Sequence, residues 1–336
     1  MPMSIASTSE TLTVLIVGCG DIAGGYDEYG SLEAIRSHAG AYSRDPRFQI
    51  SACVEPNSKR REAFMTYWNV DDGYHDLASC LESNQSFDLV SLCLPTREHE
   101  EALNAVLALN PRCVFAEKPL TGDPVLSRRI LDDYERAGVS IAVNYLRRWD
   151  KHMVNLRNEL REGTWGNVQA IGGVYARGLF NCGSHFFDLL NFLIGPLQPR
   201  AVLGRTNDGR KEDPTLSVFL ETQGGAPVTL IGIDGSAFFS FEVDLIMEKG
   251  RLGIEDLGGN LRYRRIQQDE LYPHQSILDQ GHWQKTSLNF ALANAVENIF
   301  DHLNKGAPLA SSAKNGVEAE QLCADIMVMD KKGDTD

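Results

Sequence analysis

The sequence lacks the usual signs of a metal centre, an export signal or a membrane segment. Its seven cysteines show no C-x-x-C spacing, which favours reduced, mostly buried thiols over disulfides or zinc ligands. No histidine, cysteine and carboxylate grouping has metal-ligand spacing, so no metal is expected. The first ten residues are polar, and no apolar run approaches the roughly 18 residues of a membrane span. We therefore predict a cytoplasmic protein with no membrane partner.

Basic residues are also in deficit. The 336 residues include 32 Lys and Arg against 46 Asp and Glu, which gives a formal net charge of -14. Such a surface repels phosphate backbones, and the short basic cluster at residues 59–61 does not reverse this, so no nucleic-acid partner is expected. The hydrophobic content of 43% is enough for sizeable cores, and the length indicates about two domains.

In the first part of the chain, short apolar runs alternate with helical stretches. This pattern predicts an α/β fold, a doubly wound parallel Rossmann sheet covered on both faces by helices. Two helix starts have recognisable signals, Thr96 as a cap and Asp123 before a proline. The predicted strands are residues 12–17, 48–54, 87–94, 113–116 and 140–144.

After residue 148 the pattern changes to strands that follow one another without intervening helices. A helix at 151–161 comes first, and two helices at about 288–303 and 314–329 close the chain. Consecutive strands indicate an α+β domain with a large, mostly antiparallel open sheet. The predicted domains are therefore 1–148 and 149–336. The predicted strands of the second domain are 168–175, 201–206, 216–221, 228–234, 239–247 and 261–266.

The turn after the first predicted strand reads Gly18-x-Gly20-x-x-Ala23. The first glycine permits a tight turn, the second lets the backbone approach a pyrophosphate, and the small third residue allows close helix packing. A glycine-rich turn without a ligand is the alternative. The strand before it and the helix after it favour a dinucleotide.

Glu55 ends the second predicted strand, where a carboxylate accepts hydrogen bonds from the adenosine ribose and repels the extra phosphate of NADP. This favours NAD. Binding of NADP stays open, because Lys59, Arg60 or Arg61 could hold its phosphate and because Glu55 could have a purely structural role. Glu55 lies 37 positions after Gly18, whereas about 20 is usual. An insertion at residues 24–31 is expected, either as a lid near the cofactor or as a surface loop.

Five segments in order, 18–24, 95–99, 117–119, 144–148 and 183–188, resemble the glucose-fructose oxidoreductase, inositol dehydrogenase and MocA family (Gfo/Idh/MocA). The resemblance implies hydride transfer at a carbinol carbon of a sugar, nucleotide-linked sugar or cyclitol. It also implies that domain 1–148 binds NAD(P) and that domain 149–336 binds substrate. The open sheet of the second domain often mediates oligomerisation in this family, so a homodimer or homotetramer is expected. The lysine that matches Lys118 lies near the nicotinamide, and the histidine that matches His185 serves as acid or base. The bond from Lys118 to Pro119 is expected to be cis.

The chemistry suits these residue types. Oxidation of an alcohol removes a hydroxyl proton as hydride leaves, and His185 titrates near the required range. Lys118 can stabilise a developing alkoxide. Asp188 either orients His185 from the next helical turn or packs structurally, and both readings stay open. Many relatives have aspartate four residues before the histidine, but this chain has Asn181, which is expected to orient substrate without exchanging a proton.

The sequence thus predicts three sets of site residues. The catalytic set is Lys118, His185 and Asn181. The substrate-binding set is Lys118, Tyr145, Arg147, Asn181 and His185, whereas Arg148 and His99 are expected to be structural. The cofactor-binding set is Gly18, Gly20, Asp21, Ile22, Ala23, Glu55, Leu94, Pro95, Glu117 and Lys118.

Three other functions remain open at this stage. An NAD-dependent glycoside hydrolase uses the same architecture and oxidises its sugar only transiently. A noncatalytic dinucleotide-binding sensor would not need both Lys118 and His185. A methyltransferase could share the glycine turn, but residues 117–119 would have no evident role in it.

Overall fold

Residues 11–28 and 33–333 are described by a computed structural model, in which the chain forms two units. The first comprises Met1–Glu117, Arg129–Asn144 and Leu292–Ser312, and the second comprises Lys118–Arg128, Tyr145–Ala291 and Ala313–Asp336. Part of the predicted insertion, residues 29–31, lies outside the described residues. The boundary predicted at residue 148 stays a prediction.

The helices, numbered in chain order, follow most of the predicted positions. The helix predicted at 151–161 has those bounds, and Asp123 caps its helix by accepting a hydrogen bond from the Val125 backbone at 2.8 Å. Thr96 instead starts a short 3₁₀ turn without a side-chain cap. The helices are α1 (Tyr26–Glu28), α2 (His38–Ser43), α3 (Ser58–Trp68), α4 (Leu77–Glu82), α5 (His99–Leu107), α6 (Pro124–Ala137), α7 (Lys151–Arg161), α8 (Ser184–Ile194), α9 (Ala291–Lys305) and α10 (Ala313–Gly333).

The first unit contains a six-stranded parallel sheet of order β3-β2-β1-β4-β5-β6. This is the doubly wound order of a Rossmann domain, so the predicted fold is confirmed. β4 and β5 are buried along their whole length, as strands covered on both faces must be. The strands are β1 (Leu12–Val17), β2 (Phe48–Val54), β3 (Asp72–Tyr74), β4 (Leu89–Leu92), β5 (Cys113–Ala116) and β6 (Ser140–Val143).

A late segment of the chain completes this first unit. The Phe300 ring of α9 lies edge-on to Phe48 of β2, with 6.0 Å between centroids. Further along, the Ser311 hydroxyl donates to the Val143 carbonyl oxygen at 2.7 Å. Strands β2 and β6 of the parallel sheet therefore depend on residues beyond position 290 for part of their packing.

The second unit contains a nine-stranded sheet of order β14-β13-β12-β11-β7-β10-β9-β8, with β15 pairing to β13. Its pairs are antiparallel except β7 with β10. The predicted mostly antiparallel sheet is confirmed, although β12, β14 and β15 were not predicted. The strands are β7 (Val168–Ala176), β8 (Leu197–Arg205), β9 (Leu216–Thr222), β10 (Pro227–Ile233), β11 (Phe241–Met247), β12 (Gly250–Glu255), β13 (Asn260–Gln268), β14 (Ser276–Leu278) and β15 (His282–Lys285).

Helix α8 packs its apolar residues into the core of the second unit, where Phe186 and Phe187 are almost completely buried. The Phe186 ring lies 6.2 Å from that of Phe241 on β11. Burying two such rings contributes several kcal/mol in total, which fixes the helix on the sheet. All seven cysteines are free and buried, as predicted. Within residues 11–28 and 33–333, no helix is long and apolar enough to cross a membrane.

Candidate active site

The glycine turn after β1 needs glycine at its first position. Gly18 has φ +86°, and a Cβ there would lie 2.7 Å from the Cys93 carbonyl oxygen. At Gly20, by contrast, a Cβ would meet no atom within 4 Å, so the backbone faces open space where a phosphate can approach. The predicted residues Asp21, Ile22 and Ala23 begin the π-helical turn Asp21–Gly25. The geometry fits a dinucleotide at this turn.

Glu55 lies directly beside that turn and is only 4% exposed. Its carboxylate accepts hydrogen bonds from the backbone N–H of Cys19 at 3.2 Å and of Asn57 at 3.0 Å. Two of the basic residues that left NADP open are engaged with Glu55. Arg60 Nη1 lies 3.4 Å from its carboxylate, and Arg61 donates to its carbonyl oxygen at 2.5 Å.

Leu94, Pro95 and Glu117 follow β4 and β5, at the edge of the sheet where doubly wound folds bind ligands. A Cβ at Gly18 would lie 2.9 Å from Leu94 Cδ2, so Leu94 borders the glycine turn. The Leu94 carbonyl oxygen is 2.8 Å from His99 Nε2. The buried His99 therefore contacts the backbone next to the glycine turn, and its structural role stays a prediction.

Glu117 joins a buried polar cluster that the sequence did not predict. Its Oε1 accepts a hydrogen bond from Asn144 Nδ2 at 2.7 Å and lies 3.1 Å from His38 Nε2. The His38 ring also contacts the Phe115 ring of β5, with centroids 4.4 Å apart. His38 is far from Glu117 in sequence, so only the fold brings them together.

In the second unit, Lys118 is held by Asn181. The ammonium Nζ donates to the backbone carbonyl oxygen of Asn181 at 2.8 Å and to its Oδ1 at 3.1 Å. The Asn181 amide nitrogen in turn donates to the Arg177 carbonyl oxygen at 3.1 Å. Asn181 therefore binds the lysine itself, a contact that the sequence did not predict. The Lys118–Pro119 bond is cis, as expected.

Asn181 lies in a π-helical turn, Leu179–Gly183, that leads into α8. The Asp213 carboxylate accepts hydrogen bonds from the backbone N–H of Phe180 at 2.7 Å and of Asn181 at 3.0 Å. Burial raises the pKa of Asp213, and these N–H groups act in the opposite direction. Asp213 thus positions the residue that grips Lys118. No local motif marks it, because it lies in the connection between β8 and β9.

His185 occupies the first turn of α8, and its ring packs edge-on against Tyr145 with 5.5 Å between centroids. Its pKa is lowered well below the usual value, chiefly by burial and then by the charges of Lys118 and Arg147. The imidazole is therefore neutral at pH 7 and can accept a proton. The Tyr145 hydroxyl stays protonated because burial raises its pKa.

Two arginines near His185 have structural contacts. Arg148 Nε donates to both carboxylate oxygens of Asp188, at 2.8 and 3.0 Å, and both side chains are buried. This confirms the salt bridge predicted for Arg148 and favours the structural reading of Asp188. Arg147 donates to the Leu257 carbonyl oxygen at 2.6 Å and stacks on Phe241 at 3.8 Å. Burial lowers the pKa of Arg147 to about 10.

The chain is similar in sequence to known oxidoreductases. Residues 12–145 match the family model described as oxidoreductase family, NAD-binding Rossmann fold. Inositol 2-dehydrogenase of Rhizobium meliloti (strain 1021) is 24% identical over 270 residues, covering 72% of this chain and 78% of that protein. D-glucoside 3-dehydrogenase of Escherichia coli (strain K12) is 26% identical over 182 residues, covering 54% and 47%.

Solved structures share the fold over almost the whole chain. An oxidoreductase from Agrobacterium radiobacter, in complex with NAD+, L-tartaric acid and magnesium, has a TM-score of 0.74 at 16% identity, covering 96% of this chain and 97% of that one. KijD10, a 3-ketoreductase from Actinomadura kijaniata in complex with NADP, has a TM-score of 0.77 at 16% identity, covering 95% and 97%. Among the described residues, no group of three or more His, Cys, Asp or Glu is arranged to hold a metal ion.

Proposed function

We propose that this chain is an oxidoreductase of the Gfo/Idh/MocA family, whose NAD-binding Rossmann model matches residues 12–145, and that it is a dehydrogenase of sugars or cyclitols. It transfers hydride between a nicotinamide and a carbinol carbon. The observation that carries this proposal lies in the second unit, where the ammonium of Lys118 is gripped by Asn181 while His185 is kept neutral by burial, Lys118 and Arg147.

The bound nicotinamide supplies the hydride acceptor, and the side chains handle the proton. Neutral His185 accepts the hydroxyl proton of the substrate as general base. The charge of Lys118 stabilises the alkoxide as it develops, which is where a fixed cation contributes most. Asn181 fixes the ammonium through two acceptor oxygens, so its contribution is to orient Lys118. Tyr145 and Arg147 are proposed to border the substrate.

The relatives support the proposed substrate class. Inositol 2-dehydrogenase and D-glucoside 3-dehydrogenase are both named for the oxidation of a ring hydroxyl. We propose a neutral polyol ring for this chain as well. Arg147 is already engaged with the Leu257 carbonyl oxygen and Phe241, which disfavours it as the anchor of an anionic group.

The cofactor is proposed to be NAD. The Glu55 carboxylate lies against the backbone of the glycine turn, where its charge opposes a phosphate on the ribose. Asp21, Ile22, Ala23, Leu94, Pro95 and Glu117 are proposed to complete the cofactor contacts.

The proposal is tested with the purified chain, NAD+ or NADP+, and a panel of cyclitols, free sugars and glycosides. Net NADH formation with a polyol is the expected result, and NAD+ should be preferred over NADP+. Sugar release from a glycoside without net NADH would instead identify a hydrolase. Cofactor binding without turnover on any substrate would identify a sensor.

Matched variants test the roles of the two residues. Lys118→Met and His185→Gln should each lower kcat by roughly 10²–10⁴-fold. His185→Gln should leave the Kd for NAD within a few-fold of the original. Lys151→Met, which removes an exposed lysine at the start of α7, is the control and should keep full turnover. Full turnover by Lys118→Met or by His185→Gln would contradict the assignment.

A further inference from the structure

A series of buried, hydrogen-bonded polar groups runs through the first unit to the edge of its sheet. The Tyr42 hydroxyl lies 2.7 Å from Ser91 Oγ, which lies 3.1 Å from His38 Nδ1, and His38 Nε2 lies 3.1 Å from Glu117 Oε1. Tyr42, Ser91 and His38 have no solvent exposure. Asn144 Nδ2 donates to the same Glu117 oxygen at 2.7 Å.

The proton positions in this series follow from which groups can donate and which can only accept a hydrogen bond. An ionised carboxylate only accepts hydrogen bonds, so His38 Nε2 must carry a proton and donate it. In a neutral ring, Nδ1 is then an acceptor, so the Ser91 hydroxyl donates to it. Ser91 Oγ accepts from Tyr42, whose hydroxyl stays protonated because burial raises its pKa.

Other arrangements leave a buried hydroxyl without an acceptor. If His38 were protonated at both nitrogens, its Nδ1–H would donate a hydrogen bond to Ser91 Oγ. Either Ser91 or Tyr42 would then have a hydroxyl proton with no acceptor. Such unpaired buried donors are costly. The neutral ring with its proton on Nε2 is therefore the arrangement in which every donor is paired.

The same acceptor fixes the orientation of Asn144. Because Glu117 requires a donor, the amide must present Nδ2 to it, which turns Oδ1 away. Asn144 is 3% exposed, and its Oδ1 has no hydrogen-bond partner among the residues that the structure describes. A buried amide oxygen without a donor indicates a missing partner.

We infer that Asn144 Oδ1 accepts a hydrogen bond from the carboxamide N–H2 of the nicotinamide, and that His38 positions Asn144 through Glu117. Asn144 follows β6 and Glu117 follows the adjacent β5, at the carboxyl edge where this fold binds dinucleotides. The inference rests on the proposed NAD-dependent function. His38, Ser91 and Tyr42 act at a distance and are positioning residues.

The first test needs no cofactor. Histidine labelled with ¹⁵N in the ring reports the tautomer by NMR, and His38 is assigned by the signal that disappears in His38→Gln. His302 is an internal control with the opposite expectation, because its Nδ1 faces the Ala307 carbonyl oxygen at 2.7 Å and its Nε2 faces Ser140 Oγ at 2.8 Å. We expect a proton on Nε2 in His38 and on Nδ1 in His302. A proton on Nδ1 of His38 would overturn the proposed series of hydrogen bonds from Tyr42 to Glu117.

The second test compares NAD with its 3-acetylpyridine analogue, in which an acetyl group replaces the carboxamide, so that the carbonyl oxygen is kept and the N–H2 is lost. The original chain should bind NAD about tenfold more tightly than the analogue, the factor for one buried hydrogen bond. Asn144→Ala should remove this preference, and His38→Gln should reduce it. Asn298→Ala is the control, because that amide is bonded at both ends, to Pro308 and Ala310.

The outcomes separate this inference from the function on which it rests. Equal affinities of the original chain for NAD and the analogue would overturn the role of Asn144 while leaving an NAD-dependent enzyme in place. A preference that survives Asn144→Ala would do the same. Absence of NAD binding would remove the proposed function, and the inference with it, even if the His38 tautomer were as expected. If His38→Gln does not fold, the His38 signal is assigned with Ser91→Ala, which changes the chemical shift of His38 Nδ1.

Discussion

Replacing Arg148 by methionine should destabilise the chain strongly, because it leaves the Asp188 carboxylate buried without its partner. The two side chains are 7% and 2% exposed, so water cannot replace the lost contact. Removing one member of such a pair costs about 3–5 kcal/mol, which corresponds to a fall in Tm of roughly 4–7 °C for a chain of this length. Methionine keeps the apolar contact with Phe192, whose ring centroid lies 5.1 Å from the Arg148 guanidinium.

The loss should also depend on pH. Burial raises the pKa of Asp188 from 3.8 to about 6, and Arg148 acts against this rise. A carboxyl whose pKa is raised by folding stabilises the folded state at low pH and loses that contribution as pH rises through the folded value. Without Arg148 the pKa rises further, so Asp188 is neutral at pH 5 and the variant loses little there. At pH 8 the loss should approach its full size.

Urea unfolding at pH 5 and pH 8 measures both effects. Arg129→Met is the matched control, because Arg129 forms an exposed pair with Glu100 at 2.6 Å, which is worth about 0–1 kcal/mol. The double variant Arg148→Met with Asp188→Leu should recover most of the stability. The reasoning is refuted if Arg148→Met costs no more than the control, or if its cost is equal at the two pH values.

Two further predictions concern the cofactor turn and the proposed base. Gly18→Ala should abolish measurable NAD binding and lower the free energy of unfolding by about 2 kcal/mol or more. The reason is that the new Cβ would lie 2.7 Å from the Cys93 carbonyl oxygen, at a residue with φ +86°. Calorimetry that shows undiminished NAD affinity would contradict this. His185 should titrate below its usual value of 6.5, and Lys118→Gln should raise its pKa because the lysine charge lowers it. An NMR titration that is identical with and without Lys118 would show that burial alone sets the value.

Local patterns in the sequence were sufficient for the Rossmann sheet and the cofactor turn. Gly18 could be identified because its role is decided within one strand and one turn. β3 was missed because Asp72–Tyr74 contains no apolar run. β12 was missed as well, since Gly250 and Gly253 dilute the strand signal of the segment Gly250–Glu255.

The contacts that shape the candidate site could not be predicted in the same way. Asp213 holds Asn181 from a loop more than thirty positions away, and His38 reaches Glu117 across 79 positions. Neither residue belongs to a local motif, so the sequence offers no signal for either partner. The Asn181 amide was expected to orient substrate, and the structure instead gives it Lys118 as a partner. Its effect on substrate stays a prediction.

The late packing of α9 and residue 311 on the first unit bears on how the chain folds as it is synthesised. All six strands of the parallel sheet have left the ribosome once Val143 has emerged, but Phe300 and Ser311 have not yet been made. At typical elongation rates the sheet waits roughly 10–30 s for them. During that interval the Phe48 side of β2 and the end of β6 lack their cover, and incomplete packing of this kind favours aggregation or chaperone binding of nascent chains.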